Sequence, residues 1–296
     1  MGSKTRPPNV AGQFYPSDRD ELFELIHRSF TDPIGPGNFP SKSVKERGIS
    51  KVESLLVPHA GYIYSGAVAA HSYYVVHDFV QSFRSEDKII VVILGPNHYG
   101  IGSGVALSNS EYWETPIGKM RVDVELAKRL VARSSIIDLD DVAHSREHSI
   151  EVQIPFLQAV AGSLIEKISI LPICMMLQDM ETATEVGNEI FTLIGEENAP
   201  FIVLGSSDLT HYEPHERAAA KDSRLLKEVE KVDIPSFYTV IEKLNLSACG
   251  YGAIAATMQV SKKFGKKKGE ILKYATSGDT SGDKSSVVGY SSVHFG

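Results

Sequence analysis

Residues 89–98 read Ile-Ile-Val-Val-Ile-Leu-Gly-Pro-Asn-His, and this short segment is the most informative one about the fold. Six consecutive β-favouring apolar residues have the length of a strand, and a strand without polar alternation is covered on both of its faces. Gly95 and Pro96 end the run, and Asn97 and His98 follow at once. The segment therefore predicts a strand buried in the middle of a sheet, with polar side chains at its carboxyl end.

Comparable apolar runs recur along the chain and alternate with segments of helical spacing. The predicted strands are 55–57, 89–94, 168–173, 201–204, 271–274 and 286–293. The predicted helices are 65–79, 124–131, 149–160, 181–193, 215–229, 236–243 and 252–260, after a first helix that Ser17 would cap. This alternation predicts one α/β domain over residues 1–296, with helices on both faces of the sheet. Residues 31–50 are rich in Pro, Gly, Ser and Lys, and we expect a long surface loop there.

The composition narrows the class of protein. Hydrophobic residues make up 42% of the 296 residues, so a large core can form and overall disorder is excluded. The formal charges sum to −7, which makes attraction to nucleic acid or anionic lipid unfavourable; we interpret the lysines within 262–268 as a solvated turn. No apolar run approaches the roughly 20 residues of a membrane span. Two cysteines and no secretory signal favour the cytoplasm.

Polar clusters that contain a histidine follow three of the predicted strands. The histidines are His59 after 55–57, His98 after 89–94 and His211 after 201–204. One histidine at such a position is more often structural than functional. The carboxyl ends of the strands meet in α/β folds, however, and active sites form there. Three histidines at equivalent strand ends therefore predict a functional site.

Other residues could complete that site as a metal centre. Cys249 precedes a predicted helix, whose dipole favours a thiolate. Neutral imidazole and thiolate both suit iron, zinc or copper, and two histidines with one cysteine leave open positions on the ion. The set is similar to the 2-His-1-carboxylate triad with sulfur in place of the carboxylate. Asp208 would orient a ligand or substrate, and His211 would move protons.

Simpler interpretations stay open for these residues. Cys249 could be a small buried side chain, and we assign Cys174 to the core. Two histidine pairs stand four residues apart, where a shared helix face could bind zinc: His144 with His148, and His211 with His215. The HExxH motif is absent, which argues against either pair as a complete site.

Six motifs together resemble the Memo family, also called AmmeMemoRadiSam system protein B in prokaryotes. They are Ala11-Gly12-Gln13-Phe14-Tyr15, Pro58-His59-Ala60-Gly61-Tyr62, Leu94-Gly95-Pro96-Asn97-His98, Glu147-His148-Ser149-Ile150-Glu151, Ser206-Ser207-Asp208-Leu209-Thr210-His211 and Cys249-Gly250. They run from about residue 9 to the C-terminal region, and the combination is specific where each motif alone is not. The resemblance implies an αβα sandwich like that of the class III extradiol dioxygenases, whose metal is non-haem iron.

The same resemblance implies residue roles. The metal ligands would be His59, His98 and Cys249, with iron(II) as the first expectation, copper as the second and zinc as the third. His211 would occupy the position of the dioxygenase base, beside Asp208. The expected substrate-binding residues are Phe14, Tyr15, His148 and Glu151.

Two functions from different classes are compatible with this pattern. The first is a metal-dependent oxidoreductase acting on a small aromatic or phenolic molecule, with a radical-SAM protein as an expected pathway partner. The second is a non-catalytic module that holds a metal, a peptide or another protein in the same cleft. A thiolate donates more charge than the dioxygenase carboxylate and is oxidisable, so the resemblance alone does not carry the dioxygenase reaction over. Metal-dependent turnover distinguishes the two functions.

Overall fold

The computed structural model describes residues 4–41, 51–83 and 87–296. Its strands are β1 Thr5–Arg6, β2 Val52–Val57, β3 Ile89–Pro96, β4 Val105–Leu107, β5 Tyr112–Thr115, β6 Gly118–Val122, β7 Asp138–Leu139, β8 Ile168–Met175, β9 Phe201–Ser206, β10 His211–Glu213, β11 Gly269–Thr276 and β12 Val287–Phe295. Its α-helices are α1 Arg19–Thr31, α2 Tyr62–Gln81, α3 Val124–Arg133, α4 Asp141–His144, α5 Gln153–Ala161, α6 Met180–Glu196, α7 His215–Glu230, α8 Ile234–Leu244, α9 Tyr251–Lys263 and α10 Ser277–Ser281. A 3₁₀ helix, Gly162–Lys167, follows α5.

The strands form a central sheet in the order β1-β5-β6-β8-β3-β9-β2-β12-β10, with β11 paired to β12 and β4 paired to β8 and β7. The inner strands β8, β3, β9 and β2 run parallel to one another. All eight residues of β3 are buried, as the unbroken apolar run of residues 89–94 predicts. The three strands whose ends carry histidines in the sequence, β2, β9 and β3, are therefore direct neighbours.

Helices cover both faces of this sheet. Because side chains alternate along a strand, Val92 and Leu94 of β3 point to one apolar cluster and Val91 and Ile93 to another. The first cluster is completed by residues of α6 and α9, and the second by residues of α2 and α5. The α/β fold with a buried central sheet is thus confirmed.

Several local predictions need correction. Asp18, not Ser17, caps α1: its carboxylate accepts hydrogen bonds from the backbone N–H groups of Asp20 and Glu21. Residues 149–152 form turns, and α5 begins only at Gln153.

The predicted loop at 31–50 is only partly described. Residue 31 still belongs to α1 and residues 32–41 are irregular, whereas residues 42–50 lie outside the described ranges. The lysines within 262–268 lie between the end of α9 and the start of β11, where a turn was predicted.

No helix within the described ranges combines the length and the apolar character that crossing a membrane requires.

Candidate metal centre

The strand ends bring the predicted ligands together. His59 follows β2 and His98 follows β3, while Cys249 comes from the turn just before α9. One ligand atom from each of these three residues lies within 4.8 Å of the others. Sγ of Cys249 and Nε2 of His59 are 3.0 Å apart, although 190 residues separate them in the chain.

The His59 ring is oriented by a chain of hydrogen bonds. The Ser206 hydroxyl donates to the Ser149 carbonyl at 2.7 Å, so its oxygen accepts from Nδ1 of His59 at 2.9 Å. Gln153 Nε2 also donates to that oxygen, at 2.9 Å. Nε2 of His59 is then the unprotonated nitrogen, and burial lowers the pKa of the ring well below its usual value. These contacts make His59 a neutral imidazole whose Nε2, the nitrogen available to a metal, lies next to Cys249.

His98 is oriented by a buried carboxylate. Glu147 accepts from Nδ1 of His98 at 2.9 Å and from its backbone N–H at 2.7 Å. Burial raises the pKa of Glu147, but the hydrogen bonds and charge interactions with His98, His148 and Ser149 outweigh it and lower the pKa to about 2. Because an ionised carboxylate only accepts, Nδ1 of His98 carries the proton and Nε2 is free for a metal.

The thiol of Cys249 differs from the prediction. Burial raises the pKa of this thiol well above its usual value, and the nearby Asp208 carboxylate raises it further. The sequence predicted the opposite, because the helix dipole favours a thiolate. Loss of hydration outweighs a dipole that is worth at most ~2 kcal/mol. The neutral S–H therefore donates to Nε2 of His59. A bound cation reverses this balance, because a thiol that coordinates a metal is deprotonated outright.

The donor set fits a transition metal. Two ligands at about 2.0 Å (nitrogen) and 2.3 Å (sulfur) from one ion lie roughly 3 to 4 Å apart, and the His59–Cys249 pair meets that requirement. A second group of donors, His98, Glu147 and His148, also lies within 4.8 Å. There, however, both carboxylate oxygens of Glu147 already accept hydrogen bonds from His98 and neighbouring backbone.

A cleft of about 630 Å³ opens beside these ligands. It is lined by Phe14, His59, Ala60, Tyr64, His98, His148, Asp208, His211, Tyr212, Ser277, Ser281, Asp283, Ser286, Val288 and Tyr290. The His148 ring stacks on His98 at 4.6 Å and contacts Phe14 at 4.4 Å, so these rings form one wall. The predicted residues Phe14 and His148 therefore reach the cleft.

Asp208 and His211 lie in the same cleft, as predicted. Nδ1 of His211 donates to the Leu209 carbonyl at 2.7 Å, which leaves Nε2 as the nitrogen able to accept a proton. The Asp208 carboxylate accepts from the backbone N–H of His59 at 2.8 Å. Burial raises the pKa of Asp208 to about 6, so its charge state changes close to neutral pH.

Tyr15 and Glu151 are the other two residues predicted to bind substrate. Neither lines the cleft. Glu151 is fully buried: it accepts from Arg6 at 2.7 Å, from the Tyr15 hydroxyl at 2.7 Å and from backbone N–H groups of the N-terminal segment. Its carboxylate is therefore the anchor that fastens this segment, including Phe14, beside the cleft.

The alternative assignments are resolved by the partners of each side chain. Among the described residues, the groups of three donors that lie within 4.8 Å of one another contain neither His144 nor His215, so neither histidine pair forms a metal site here. Nε2 of His144 bonds the Ala106 carbonyl, and Nδ1 of His215 bonds the Thr276 hydroxyl. Cys174 is fully buried in the core, as expected.

Sequence reasoning did not assign Glu147, Ser206 or Gln153 to the site. Each orients the ring of a candidate ligand: Glu147 accepts a hydrogen bond from His98, and Ser206, which Gln153 also contacts, accepts one from His59. The position of Glu147 next to His148 in a charged motif was a usable signal. Gln153 carries none, because its contact with Ser206 exists only in the folded chain.

Comparison with known proteins agrees with this architecture. Residues 6–294 match the family described as Memo-like protein. The MEMO1 family protein MJ0403 of Methanocaldococcus jannaschii is 45% identical over 291 residues, covering 98% of this chain and 99% of the relative. MEMO1 family protein MK0963 of Methanopyrus kandleri is 44% identical over 290 residues, covering 98% of each. The crystal structure of uncharacterized protein JW3007 from Escherichia coli K12 matches with a TM-score of 0.54 at 15% identity, covering 82% of this chain and 99% of that one. At that identity the likeness shows a shared fold alone.

Proposed function

The chain belongs to the Memo family, and on that premise we propose that it is a metal-dependent oxidoreductase acting on a small phenolic substrate. His59, His98 and Cys249 would hold one metal ion, iron(II) first and copper second, because imidazole and thiolate together suit both. The observation that carries the proposal is the meeting of three ligand atoms within 4.8 Å at one end of a cleft that also contains His211 and Asp208. When bound, the ion would supply Lewis acidity and one-electron chemistry at the positions the three protein ligands leave open.

The protein's own residues supply the proton transfer and the shape of the cleft. Nε2 of His211 accepts the proton of a phenol, because Nδ1 is committed to the Leu209 carbonyl. Asp208 holds the backbone of His59 in place and interacts electrostatically with His211. The rings of Phe14 and His148, in tilted contact with centroids 4.4 Å apart, form one wall of the cleft. In this proposal the three ligands bind the metal ion, and His211 transfers the proton.

The first test is metal binding under anaerobic conditions. We expect about one Fe(II) per chain, and at least ~10-fold weaker binding when His59, His98 or Cys249 is replaced by alanine, since even loss of a residue that orients a ligand costs 10- to 100-fold. Cys174→Ala is the matched control, because that thiol is buried away from the cleft and should leave the metal affinity unchanged. Parent-like metal affinity in all three ligand variants would show that the site is wrongly assigned.

The second test concerns turnover. His211→Ala should keep the metal affinity and remove metal-dependent consumption of oxygen and phenol, because a positioned acid or base is worth ~100- to 10,000-fold in rate. His215→Ala, four residues on and bonded to Thr276, is the control. Saturable binding of metal and phenol without any turnover would instead support the non-catalytic module.

A further inference from the structure

Tyr212 has an unusual backbone conformation at the edge of the cleft. Strand β10 pairs with β12 so that His211 faces Val288 and Glu213 faces Val287. Two residue steps on β10 thus correspond to one on β12, and Tyr212 is the extra residue of a β-bulge. Its φ is +59°, in the left-handed region that glycine adopts without cost and a bulky side chain does not.

The residues on both sides of Tyr212 are held firmly. The backbone N–H of His211 donates to the Ser247 hydroxyl at 2.8 Å. The carboxylate of Glu213 forms ion pairs with Arg217 and Lys221, at 2.7 and 2.5 Å. These contacts from α7 and from the segment before Cys249 impose the bulge on Tyr212. Strained residues that the surroundings enforce in this way cluster at functional sites.

The Tyr212 side chain makes few contacts within the described part of the chain. It is 80% exposed, and in the described part of the chain no group hydrogen-bonds its hydroxyl. Its one ring contact there is the edge of His211 at 5.7 Å. Tyr64, 42% exposed, lines the same cleft, and the phenol of the buried Tyr290 interacts electrostatically with both. The bulge therefore places an aromatic ring in the lining of the cleft, where the described residues leave it exposed.

The lining of the cleft also restricts the charge of such a ligand. None of its fifteen residues within the described ranges is Lys or Arg, whereas Asp208 and Asp283 both belong to it. Lys284 lies in the same loop but outside the lining, with its Nζ 3.9 Å from Asp279. The part of the lining formed by Ser277, Ser281 and Asp283 therefore suits a neutral or cationic group and disfavours a carboxylate or phosphate.

We propose that Tyr212 covers the bound substrate and that this substrate is a phenol whose tail is neutral or cationic, not acidic. The phenolic ring of the substrate rests on the proposed function. The covering role of Tyr212 rests on the bulge, and the charge of the tail rests on the lining of the cleft. Tyr212 contacts the substrate without holding the metal, so its removal should weaken substrate binding and leave metal binding intact. Because the position is strained, its removal should also not destabilise the fold.

The experiment uses Zn(II)-loaded protein, because Zn(II) has no redox chemistry that would consume a phenol. Calorimetry measures the binding of three catechols that differ only in their tail. Dopamine is cationic, 4-methylcatechol is neutral and 3,4-dihydroxyphenylacetate is anionic. We expect the first two to bind the parent at least ~10-fold more tightly than the third, because the Asp208 and Asp283 carboxylates in the cleft repel an anionic tail. Tyr212→Gly should bind dopamine and 4-methylcatechol about 10-fold more weakly, which is the worth of one aromatic contact. Its Zn(II) affinity should equal that of the parent.

The control is Asn245→Gly, an exposed residue after α8 that also has a positive φ, +45°, and lies outside the cleft. It should leave catechol affinity unchanged and give the baseline for a glycine in this conformation. Tyr212→Asn repeats the test if the glycine variant folds poorly, because asparagine tolerates the left-handed region.

Equal catechol affinity in the parent and the Tyr212 variants overturns the covering role. A melting temperature far below the Asn245→Gly baseline shows that Tyr212 is structural. Equal affinity for all three tails overturns the charge class, whereas no catechol binding to the parent overturns the proposed function and this inference with it.

Discussion

Replacing Arg6 by alanine should destabilise the protein strongly. The guanidinium is 6% exposed and its partner, the Glu151 carboxylate, is fully buried, with 2.7 Å between Nη1 and Oε2. Arg6 also donates to the carbonyls of His144 and Glu147 at 2.7 and 2.8 Å and lies over the Trp113 ring at 4.1 Å. Removing one partner of such a buried pair leaves an uncompensated charge, so we expect a loss of about 3–5 kcal/mol in the free energy of unfolding.

Urea denaturation followed by circular dichroism measures this loss. A double-mutant cycle with Arg6→Ala and Glu151→Ala should show that the double variant costs less than the sum of the single ones, by about 1 kcal/mol or more, because each single change strands the same partner. The control is Lys128→Ala. Its ion pair with Glu125 has a similar distance, 2.9 Å, but side chains that are 53% and 82% exposed, so the loss should stay below about 0.5 kcal/mol.

Two results would refute this reasoning. An Arg6→Ala variant within about 1 kcal/mol of the parent would show that the buried pair does not fasten the N-terminal segment. Parent-like stability of Glu151→Ala, together with lost phenol affinity, would return Glu151 to the role of a substrate-binding residue.

Two further predictions concern the cleft. In metal-free protein, iodoacetamide treatment and mass mapping over time should label Cys249, which is partly exposed, before the fully buried Cys174, although burial raises the pKa of both thiols and makes both reactions slow. Zn(II) should protect Cys249, and earlier labelling of Cys174 would reverse the assignment. Asp208→Asn should stabilise the metal-free protein at neutral pH, because burial raises the folded-state pKa of Asp208 to about 6, above the ordinary value near 4. The folded parent therefore loses stability as pH rises between these values, by roughly 2–3 kcal/mol in all. Urea titrations should show a higher free energy of unfolding for Asp208→Asn than for the parent at pH 8 but not at pH 4.5. A difference that is independent of pH would contradict this.

The sequence alone was sufficient to predict the inner part of the fold and the meeting of His59, His98 and Cys249, the candidate metal ligands. Apolar runs of strand length are a local property, so residues 89–94 and 201–204 predicted buried strands that the structure contains as β3 and β9. Parallel strands share one carboxyl edge, so the histidines that follow them could be expected to meet. Short edge elements such as β10 were missed, because three residues carry no periodicity.

What only the tertiary structure decided is which polar side chains face the cleft and which are buried in the protein. Glu151 and Glu147 stand in one motif, yet the first fastens the N-terminal segment through Arg6 and the second orients His98. The bulge at Tyr212 depends on its pairing with a strand about 75 residues away, a register that no local pattern encodes. The raised pKa of the Cys249 thiol likewise follows from burial and from Asp208, 41 residues earlier in the chain, and not from the helix that the thiol precedes. Local sequence determines backbone preference and polarity, whereas hydration and electrostatic fields depend on neighbours that only folding brings together.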